Sequence, residues 1–372
     1  MAITFTDHSI NGKVLNAFNN NVVRYGTSLS KTIVNSEITI GALVFEITPS
    51  PDNKFYFNFK TVAKKLINSS IFSDSCPYTT QGELWADASA YLEMAVQYKI
   101  TFSDATSETS NYTYKFVKGV NQLTEKSFFS QRGTLFPLHK PTNKVAYVTF
   151  FKGYPFDISL FGENISIDID SFLSEAQFLA HDLPAGEVNP QTFDFVNAQG
   201  VQRLIICKGN LQWDQIFDKY HNISIGNYEV RMRVEDKCGL YFKWHNEYGG
   251  WDYWLFEKNY LVDMSDKQNG EIQMDFDNLP DAKSIVASTG KVVEDSLTLF
   301  ANGVYDYEIQ RVLGIARSPK VYMYTGEKYA QNDDDYWIEV QASVANPQYK
   351  QSTFRKTISI KVDIPSNYTL EL

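Results

Sequence analysis

The sequence predicts a mainly β chain, made of multi-domain antiparallel β-sandwiches with a few short helices. Apolar residues alternate with a period of two in many segments, which is typical of strands with one buried face. The chain contains 26 Phe, 23 Tyr and 6 Trp among 372 residues, and aromatic side chains favour strands. Turn-forming residues recur at short intervals, which favours antiparallel sheets over alternating βα units.

The strand and turn segments follow one another along most of the chain. Six segments show the clearest alternation: Ile38–Val44, Tyr112–Val117, Val145–Phe151, Ile165–Ile169, Tyr228–Val234 and Thr357–Val362. Clusters of Gly, Pro, Asn, Asp and Lys separate such segments at residues 49–53, 152–155, 184–186 and 208–210. These residue types supply the backbone conformations of turns, so we expect many short strands.

Two helices are predicted from apolar residues at helical spacing. The first presents one apolar face, formed by Phe59, Val62, Ala63, Leu66 and Ile67, and is expected to cover an N-terminal sheet. The second has a face formed by Ile309, Val312, Leu313 and Ala316. It should end before Ser318-Pro319, since proline cannot continue a helix and restricts the residue before it.

The length of the chain indicates two or three domains, at roughly 150 residues each. Two segments, 114–119 and 204–209, each resemble a terminal strand that ends in Lys-Gly. We therefore expect an N-terminal β-sandwich-like domain with one covering helix over 1–121 and a middle β-sandwich-like domain over 122–212. A C-terminal β-rich domain over 213–372 should hold an aromatic hairpin and a short helix.

The aromatic hairpin is predicted over residues 240–256. Leu240, Phe242 and Trp244 alternate with Tyr241, Lys243 and His245. A second alternation follows at Trp251, Tyr253 and Leu255. The turn between them, residues 246–250, ends in Gly-Gly, which favours positive φ angles. The candidate interaction residues of this hairpin are Tyr241, Trp244, Tyr248, Trp251, Tyr253 and Trp254.

Alternation along the two predicted strands divides the hairpin into two faces. We expect Trp244, Trp251 and Tyr253 to face the core and Tyr241 and Trp254 to face a neighbouring subunit, since aromatic residues are common in interfaces. A second interpretation is a stacking platform for sugar rings, because flat aromatic side chains pack against apolar sugar faces.

The charge and the cysteine content limit which classes of function are compatible with the sequence. A net charge of −10 and a pI near 5.1 argue against sequence-specific nucleic-acid binding, which needs clustered basic residues. The three cysteines, Cys76, Cys207 and Cys238, lie far apart and fit assembly in a reducing cytoplasm. The first residues lack a signal-peptide pattern, and no apolar run reaches the roughly 18 residues of a membrane span, so membrane insertion is not expected.

No catalytic residue, cofactor or metal site is predicted. The five histidines lack ligand spacing, and no serine or cysteine lies in a nucleophile motif. Consecutive carboxylates at Asp333, Asp334 and Asp335 suggest a solvated loop, with calcium binding as the alternative. Four further carboxylates are available for acid–base chemistry of a glycosidase type, namely Asp168, Asp170, Glu235 and Asp236.

The aromatic hairpin also carries a family resemblance. It contains Trp244, Asn246, Gly249, Gly250, Trp251, Asp252 and Phe256 in the pattern Trp-x-Asn-x-x-Gly-Gly-Trp-Asp-x-aromatic-x-Phe. This block resembles one in tail-associated virion proteins of bacteriophages that infect Bacteroidota. The resemblance implies a virion protein of the tail, assembled in the bacterial host cytoplasm, and no catalytic residues.

The expected function is therefore that of a non-enzymatic structural subunit of a phage tail, in a baseplate, tail tip or connecting ring. Its partners would be other tail proteins and copies of itself in a ring. The alternative is a host-receptor or glycan-binding module of the virion. A glycan-degrading tail enzyme is the third class, and it requires a carboxylate pair that the sequence does not single out.

Overall fold

The computed structural model describes most of the chain. The described residues are 3–69, 72–74, 76, 84–120, 135–139, 141–142, 144–170, 191–208, 220–268, 270–273, 286–326, 336–346 and 355–365. The chain forms two compact units: the first contains Met1–Val234 and Asn246–Trp251, and the second contains Glu235–His245 and Asp252–Leu372. The domain boundaries predicted near residues 121 and 212 lie outside the described residues.

A β-sandwich begins the first unit. The first elements along the chain are β1 (Ile3–Asp7), β2 (Val14–Asn16), β3 (Val22–Thr27), β4 (Ile33–Ile40), β5 (Leu43–Ile47), β6 (Phe55–Asn58), α1 (Lys60–Ile67), β7 (Leu84–Ala86), β8 (Tyr91–Phe102) and β9 (Ser107–Val117). Of these, β7 belongs to the eight-stranded sheet described below. One sheet has the order β1-β3-β6 and the other the order β2-β9-β8-β4-β5. Both sheets and α1 contribute to one apolar core.

The core of this sandwich contains buried tyrosines whose hydroxyl groups are hydrogen-bonded. Tyr98 and Tyr114 share a hydrogen bond of 2.8 Å, and the Tyr25 hydroxyl lies 2.8 Å from Ser36 Oγ. Burial raises the pKa of Tyr25 to about 12, so its hydroxyl stays neutral at physiological pH. A neutral, hydrogen-bonded hydroxyl is tolerated in a core.

The helix α1 confirms the first helix prediction. Val62, Ala63 and Ile67 are buried on its inner face, which belongs to the core of the sandwich. Just before the helix, the Asn58 Oδ1 accepts a hydrogen bond of 3.1 Å from the amide of Lys60, the first helical residue. The predicted strand Ile38–Val44 is wrong in one respect: Gly41, with φ +58°, turns the chain between β4 and β5.

An eight-stranded sheet completes the first unit. Its further strands are β10 (Phe136–Pro137), β11 (Pro141–Thr142), β12 (Val145–Phe151), β13 (Pro155–Asp170), β14 (Gln191–Lys208), β15 (Tyr220–Ile225) and β16 (Tyr228–Glu235). They form the order β11-β12-β16-β15-β13-β14-β7, with β10 paired to β13. The strands β15 and β16 pair with each other and, through β15, with β13, so residues 220–234 belong to the first unit.

A seven-stranded sheet forms most of the second unit. Its elements are β17 (Gly239–His245), β18 (Trp251–Glu257), β19 (Leu261–Gln268), β20 (Glu271–Gln273), β21 (Val286–Ser288), β22 (Lys291–Tyr305), α2 (Asp306–Gly314), β23 (Val321–Tyr324), β24 (Trp337–Asn346) and β25 (Arg355–Asp363). The sheet has the order β18-β17-β23-β24-β25-β22-β19, and β20 pairs with β21 separately.

The helix α2 confirms the second helix prediction. Glu308 lies at its third position and accepts a hydrogen bond of 3.1 Å from the Tyr305 amide, which stabilises the first turn. A 3₁₀ turn, Ile315–Arg317, follows, and the helical segment ends before Ser318-Pro319 as expected. No helix in the described part of the chain is both long and apolar enough to cross a membrane.

The prediction of a mainly β, multi-domain chain of antiparallel sandwiches with short helices is confirmed. The sheets of both units are built largely from antiparallel pairs, and the β2–β9 pair is parallel.

Candidate functional site

The aromatic hairpin predicted over residues 240–256 is present as β17, a turn at Asn246–Gly250, and β18. All six candidate interaction residues are buried, with exposed fractions between 0% and 4%: Tyr241, Trp244, Tyr248, Trp251, Tyr253 and Trp254. The expectation that Tyr241 and Trp254 face a neighbouring subunit is therefore corrected, because both side chains lie inside the fold. For the same reason, these rings do not offer a stacking platform for sugars.

The strands of the hairpin are covered on both faces, which explains the correction. Tyr241 stacks on Tyr253 at 5.9 Å between ring centroids, and the Lys243 ammonium lies 4.1 Å from the centroid of Trp337. The Arg311 guanidinium lies 5.5 Å from the ring of Trp254. Aromatic faces attract such cations most strongly where water is excluded, so these contacts stabilise the second unit.

The turn of the hairpin, which belongs to the first unit, is organised by the side chain of Asn246. Its Oδ1 accepts hydrogen bonds from the backbone amides of Tyr248 and Gly250, at 2.9 and 3.0 Å. Its Nδ2 donates a hydrogen bond of 2.9 Å to the carbonyl of Leu138. All three bonds are buried, so one side chain satisfies three backbone groups that water does not reach.

The two glycines of this turn are required for different reasons. Gly249 has φ +91°, a conformation that side-chained residues rarely adopt, as the sequence predicted. Gly250 is instead required by close packing. A Cβ atom at Gly250 would lie 2.6 Å from Ser159 Cβ and 2.8 Å from the Leu138 carbonyl oxygen.

Replacing Gly250 with alanine should destabilise the first unit by about 1–3 kcal/mol, because the added methyl group overpacks a buried site. Gly41→Ala is the matched control, since Gly41 has φ +58° but no atom within 4 Å of an added Cβ. Its expected cost is about 1–2 kcal/mol, from the left-handed backbone alone. Urea unfolding followed by circular dichroism measures both. An unchanged free energy of unfolding for Gly250→Ala would contradict the packing argument.

A buried cluster of charged residues lies beside Trp251 in the first unit. The Arg203 guanidinium donates to Asp157 Oδ2 at 2.6 Å and to Asp74 Oδ1. The side chains of this triad are between 0% and 1% exposed. The guanidinium also lies 5.2 Å from the Trp251 ring and 5.6 Å from the Trp85 ring.

Hydrogen bonds connect this cluster to the hairpin turn. Ser159 Oγ accepts a hydrogen bond of 3.0 Å from the Trp251 amide and lies 3.5 Å from Asp157 Oδ1. The Trp251 indole Nε1 donates to Asp87 Oδ2 at 3.4 Å. The contacts hold the turn in place within the first unit, and their enclosure keeps the carboxylates away from any substrate in bulk solvent.

Sequence reasoning missed Arg203 and its two carboxylate partners. A weak signal was present, because Arg203, with Gln202, interrupts the apolar segment from Val201 to Ile206. A charged residue in such a run is a candidate for a buried ion pair. Its partners could not be identified from sequence, since Asp157 and Asp74 lie 46 and 129 residues away.

An open cleft of about 570 Å³ lies on the N-terminal sandwich, lined by Thr6, Asp7, Arg24, Ser50, Asp52, Lys54, Phe55 and Tyr56. The Tyr56 side chain is 54% exposed, and the Arg24 guanidinium lies 5.9 Å from its ring. Hydrogen bonds from Ser9 lower the pKa of Asp7, and the Ser50 hydroxyl lowers that of Asp52. The cleft thus offers one exposed ring beside ionised carboxylates and cations.

The remaining carboxylate candidates lie in or next to two strands of the first unit's eight-stranded sheet. Asp168 and Asp170 lie in β13, Glu235 pairs with Lys237 at 3.1 Å, and Asp236 is exposed. Among the described residues, no three His, Cys, Asp or Glu side chains are grouped so that they could hold a metal ion. The calcium alternative at Asp333–Asp335 lies outside the described residues.

The histidines take structural positions where they are described. His8 Nε2 lies 2.7 Å from the Tyr114 hydroxyl, and burial lowers the pKa of His8. His139, His221 and His245 are buried, while His181 lies outside the described residues.

Comparison with known protein families finds no match to this chain. Comparison with curated protein sequences also finds no match. Among solved structures, the fibronectin(III)-like modules of Clostridium thermocellum CbhA align with 10% identity and a TM-score of 0.21. The alignment covers 63% of this chain and 94% of the module chain. The description of the fold therefore rests on the sheets themselves.

Proposed function

We propose that this protein is a non-enzymatic structural subunit of a phage tail, in a baseplate, tail tip or connecting ring. Its partners would be copies of itself in a ring and other tail proteins, and its location the virion, assembled in the host cytoplasm. The resemblance of residues 244–256 to tail-associated virion proteins motivates the proposal.

The observation that carries the proposal is the role of the motif residues in the fold. Asn246 satisfies three buried backbone groups, Gly249 has a left-handed backbone, and Trp251 packs beside the buried Arg203. A motif of this kind specifies a backbone and its packing. A resemblance at these positions is therefore a resemblance of architecture, which supports a structural role.

The charge of the chain is compatible with this role. A net charge of −10 disfavours contact with nucleic-acid phosphates, so a surface close to passing DNA would repel it. The proposal accordingly includes no sequence-specific nucleic-acid binding.

Mass measurement and negative-stain imaging of the purified protein at rising concentration test the proposal. We expect closed rings of more than two copies, or recruitment into such rings when the neighbouring tail proteins are added, because cyclic assemblies use two different patches on each copy. Absence of rings under both conditions would overturn the structural role.

The Tyr56 cleft favours a second candidate function, the binding of a host-surface glycan. An exposed ring beside ionised carboxylates and cations provides a stacking face and hydrogen-bonding partners for a sugar. If this function is correct, Tyr56→Ala should weaken retention on immobilised host polysaccharide by about tenfold, which corresponds to about 1.4 kcal/mol. Tyr260→Ala is the matched control, since Tyr260 is 39% exposed but lies outside the cleft. Equal retention of both variants would exclude this cleft.

A further inference from the structure

The strand β19 forms an exposed edge of the sheet in the second unit. The opposite edge strand, β18, is buried from Trp251 to Phe256. In contrast, every side chain of residues 261–267 on β19 is exposed, including Val262 at 61% and Met264 at 72%. An exposed strand edge presents backbone groups that can pair with another strand.

Where β22 is no longer paired with β25, before Ser296, this edge continues as a two-stranded ribbon. The β19–β22 pair runs from Leu261 opposite Thr298 to Gln268 opposite Lys291. The β20–β21 pair keeps the same register, with Glu271 opposite Ser288 and Gln273 opposite Val286.

One face of the ribbon carries three exposed apolar side chains beside the ion pair of Lys291 with Asp266. Residues opposite each other in an antiparallel pair share a face, so Val262, Met264 and Ile272 lie on the same side as Val293. Asp263, Ser265 and Lys267 lie on the other side. A two-stranded ribbon is marginally stable alone in water and gains stability from further strands.

We propose that the edge of β19 pairs antiparallel with β19 of a second copy of this chain, about a two-fold axis at Ser265. This register places Asp263 opposite Lys267 of the second copy, and Lys267 opposite its Asp263. Two ion pairs then form across the junction. The Lys267 ammonium lies 3.3 Å from Glu294 of its own chain. It has enough N–H donors to bind both Glu294 and the Asp263 carboxylate of the second copy.

The charges select this register over its neighbours. An axis at Asp263 or at Asp266 would place two identical carboxylates opposite each other, which destabilises a strand pair. An axis at Met264 would place Asp263 opposite Ser265. Neither Asp263 nor Lys267 would then lie opposite a residue of the other charge. The axis at Ser265 also places Met264 opposite Asp266 of the second copy and makes the two Met264 side chains diagonal neighbours, so they can contact each other.

Disulfide formation at the axis tests the register. Ser265→Cys is introduced into a Cys238→Ser chain, because Cys238 is exposed. Directly opposite residues of an antiparallel pair lie about 4.5–5.5 Å apart between Cα atoms, which suits a disulfide. Mild oxidation should convert most of this variant to a covalent dimer. Asp263→Cys in the same background, and the background alone, should not form a covalent dimer. No dimer at Ser265→Cys, or an equal yield at Asp263→Cys, would overturn the proposal.

A charge exchange tests the same contact without a covalent bond. Asp263→Lys should weaken dimerisation at least tenfold in analytical ultracentrifugation, because it places lysines opposite each other. The double variant Asp263→Lys with Lys267→Asp should restore it. Both side chains are exposed, so each variant should fold, and circular dichroism verifies this. Failure of the double variant to restore dimers would contradict the ion pairs. The pairing does not depend on the tail assignment, which rings of more than two copies test separately.

Discussion

Arg203→Met is expected to lower the free energy of unfolding of the first unit by about 3–5 kcal/mol, the cost of leaving a buried charge without its counterion. The substitution removes the guanidinium that lies between Asp157 and Asp74, whose side chains are no more than 1% exposed. It also removes the cation between the rings of Trp85 and Trp251. Urea unfolding monitored by tryptophan fluorescence and circular dichroism measures the loss.

Two further variants show whether stranded carboxylates cause the loss. Lys31→Met removes the cation of an exposed pair, in which Lys31 and Asp104 are 40% and 48% exposed, and should cost less than about 1 kcal/mol. Combining Arg203→Met with Asp157→Leu and Asp74→Leu should recover much of the stability, since apolar replacements of a buried ion triad are often tolerated. Wild-type stability of Arg203→Met alone would refute the account.

Asn246→Ala is expected to destabilise the first unit by about 3 kcal/mol or more, because it leaves three buried backbone groups unsatisfied at about 1–3 kcal/mol each. These groups are the amides of Tyr248 and Gly250 and the carbonyl of Leu138. Chemical denaturation monitored by circular dichroism measures the effect.

Two controls separate the hydrogen bonds of Asn246 from general effects of the substitution. Asn111→Ala removes an amide from an exposed position on β9 and should change stability by no more than about 0.5 kcal/mol. Asn246→Asp keeps the acceptor but replaces Nδ2 with an oxygen that faces the Leu138 carbonyl, so it should also destabilise. If both variants at Asn246 were as stable as Asn111→Ala, the turn would not depend on this side chain.

Much of the local structure could be predicted from sequence because it depends on neighbouring residues. Helical spacing identified α1 and α2, and Pro319 marked the end of the second helical segment. Alternation and the Gly-Gly pair identified the aromatic hairpin. Each signal reflects a constraint that operates within a few residues.

The burial of the hairpin could not be predicted in the same way. Alternation shows which side chains share a face of a strand, but it does not show whether another layer covers the second face. Tyr241 and Trp254 are buried because residues far along the chain, Trp337 and Arg311, contact them. The requirement for Gly250 likewise arises from Leu138 and Ser159, which sequence proximity does not connect to it.

The assignment of Asn246–Trp251 to the first unit, between two segments of the second, has a consequence for how such a chain is inherited. A single recombination point near residue 234 would separate these six residues from the carbonyl of Leu138 and the hydroxyl of Ser159, to which they are bonded. A replacement second unit would have to bring a turn that fits the first unit of its new host chain. The two units are therefore poor candidates for independent exchange between genes, and changes on either side of this turn should be inherited together.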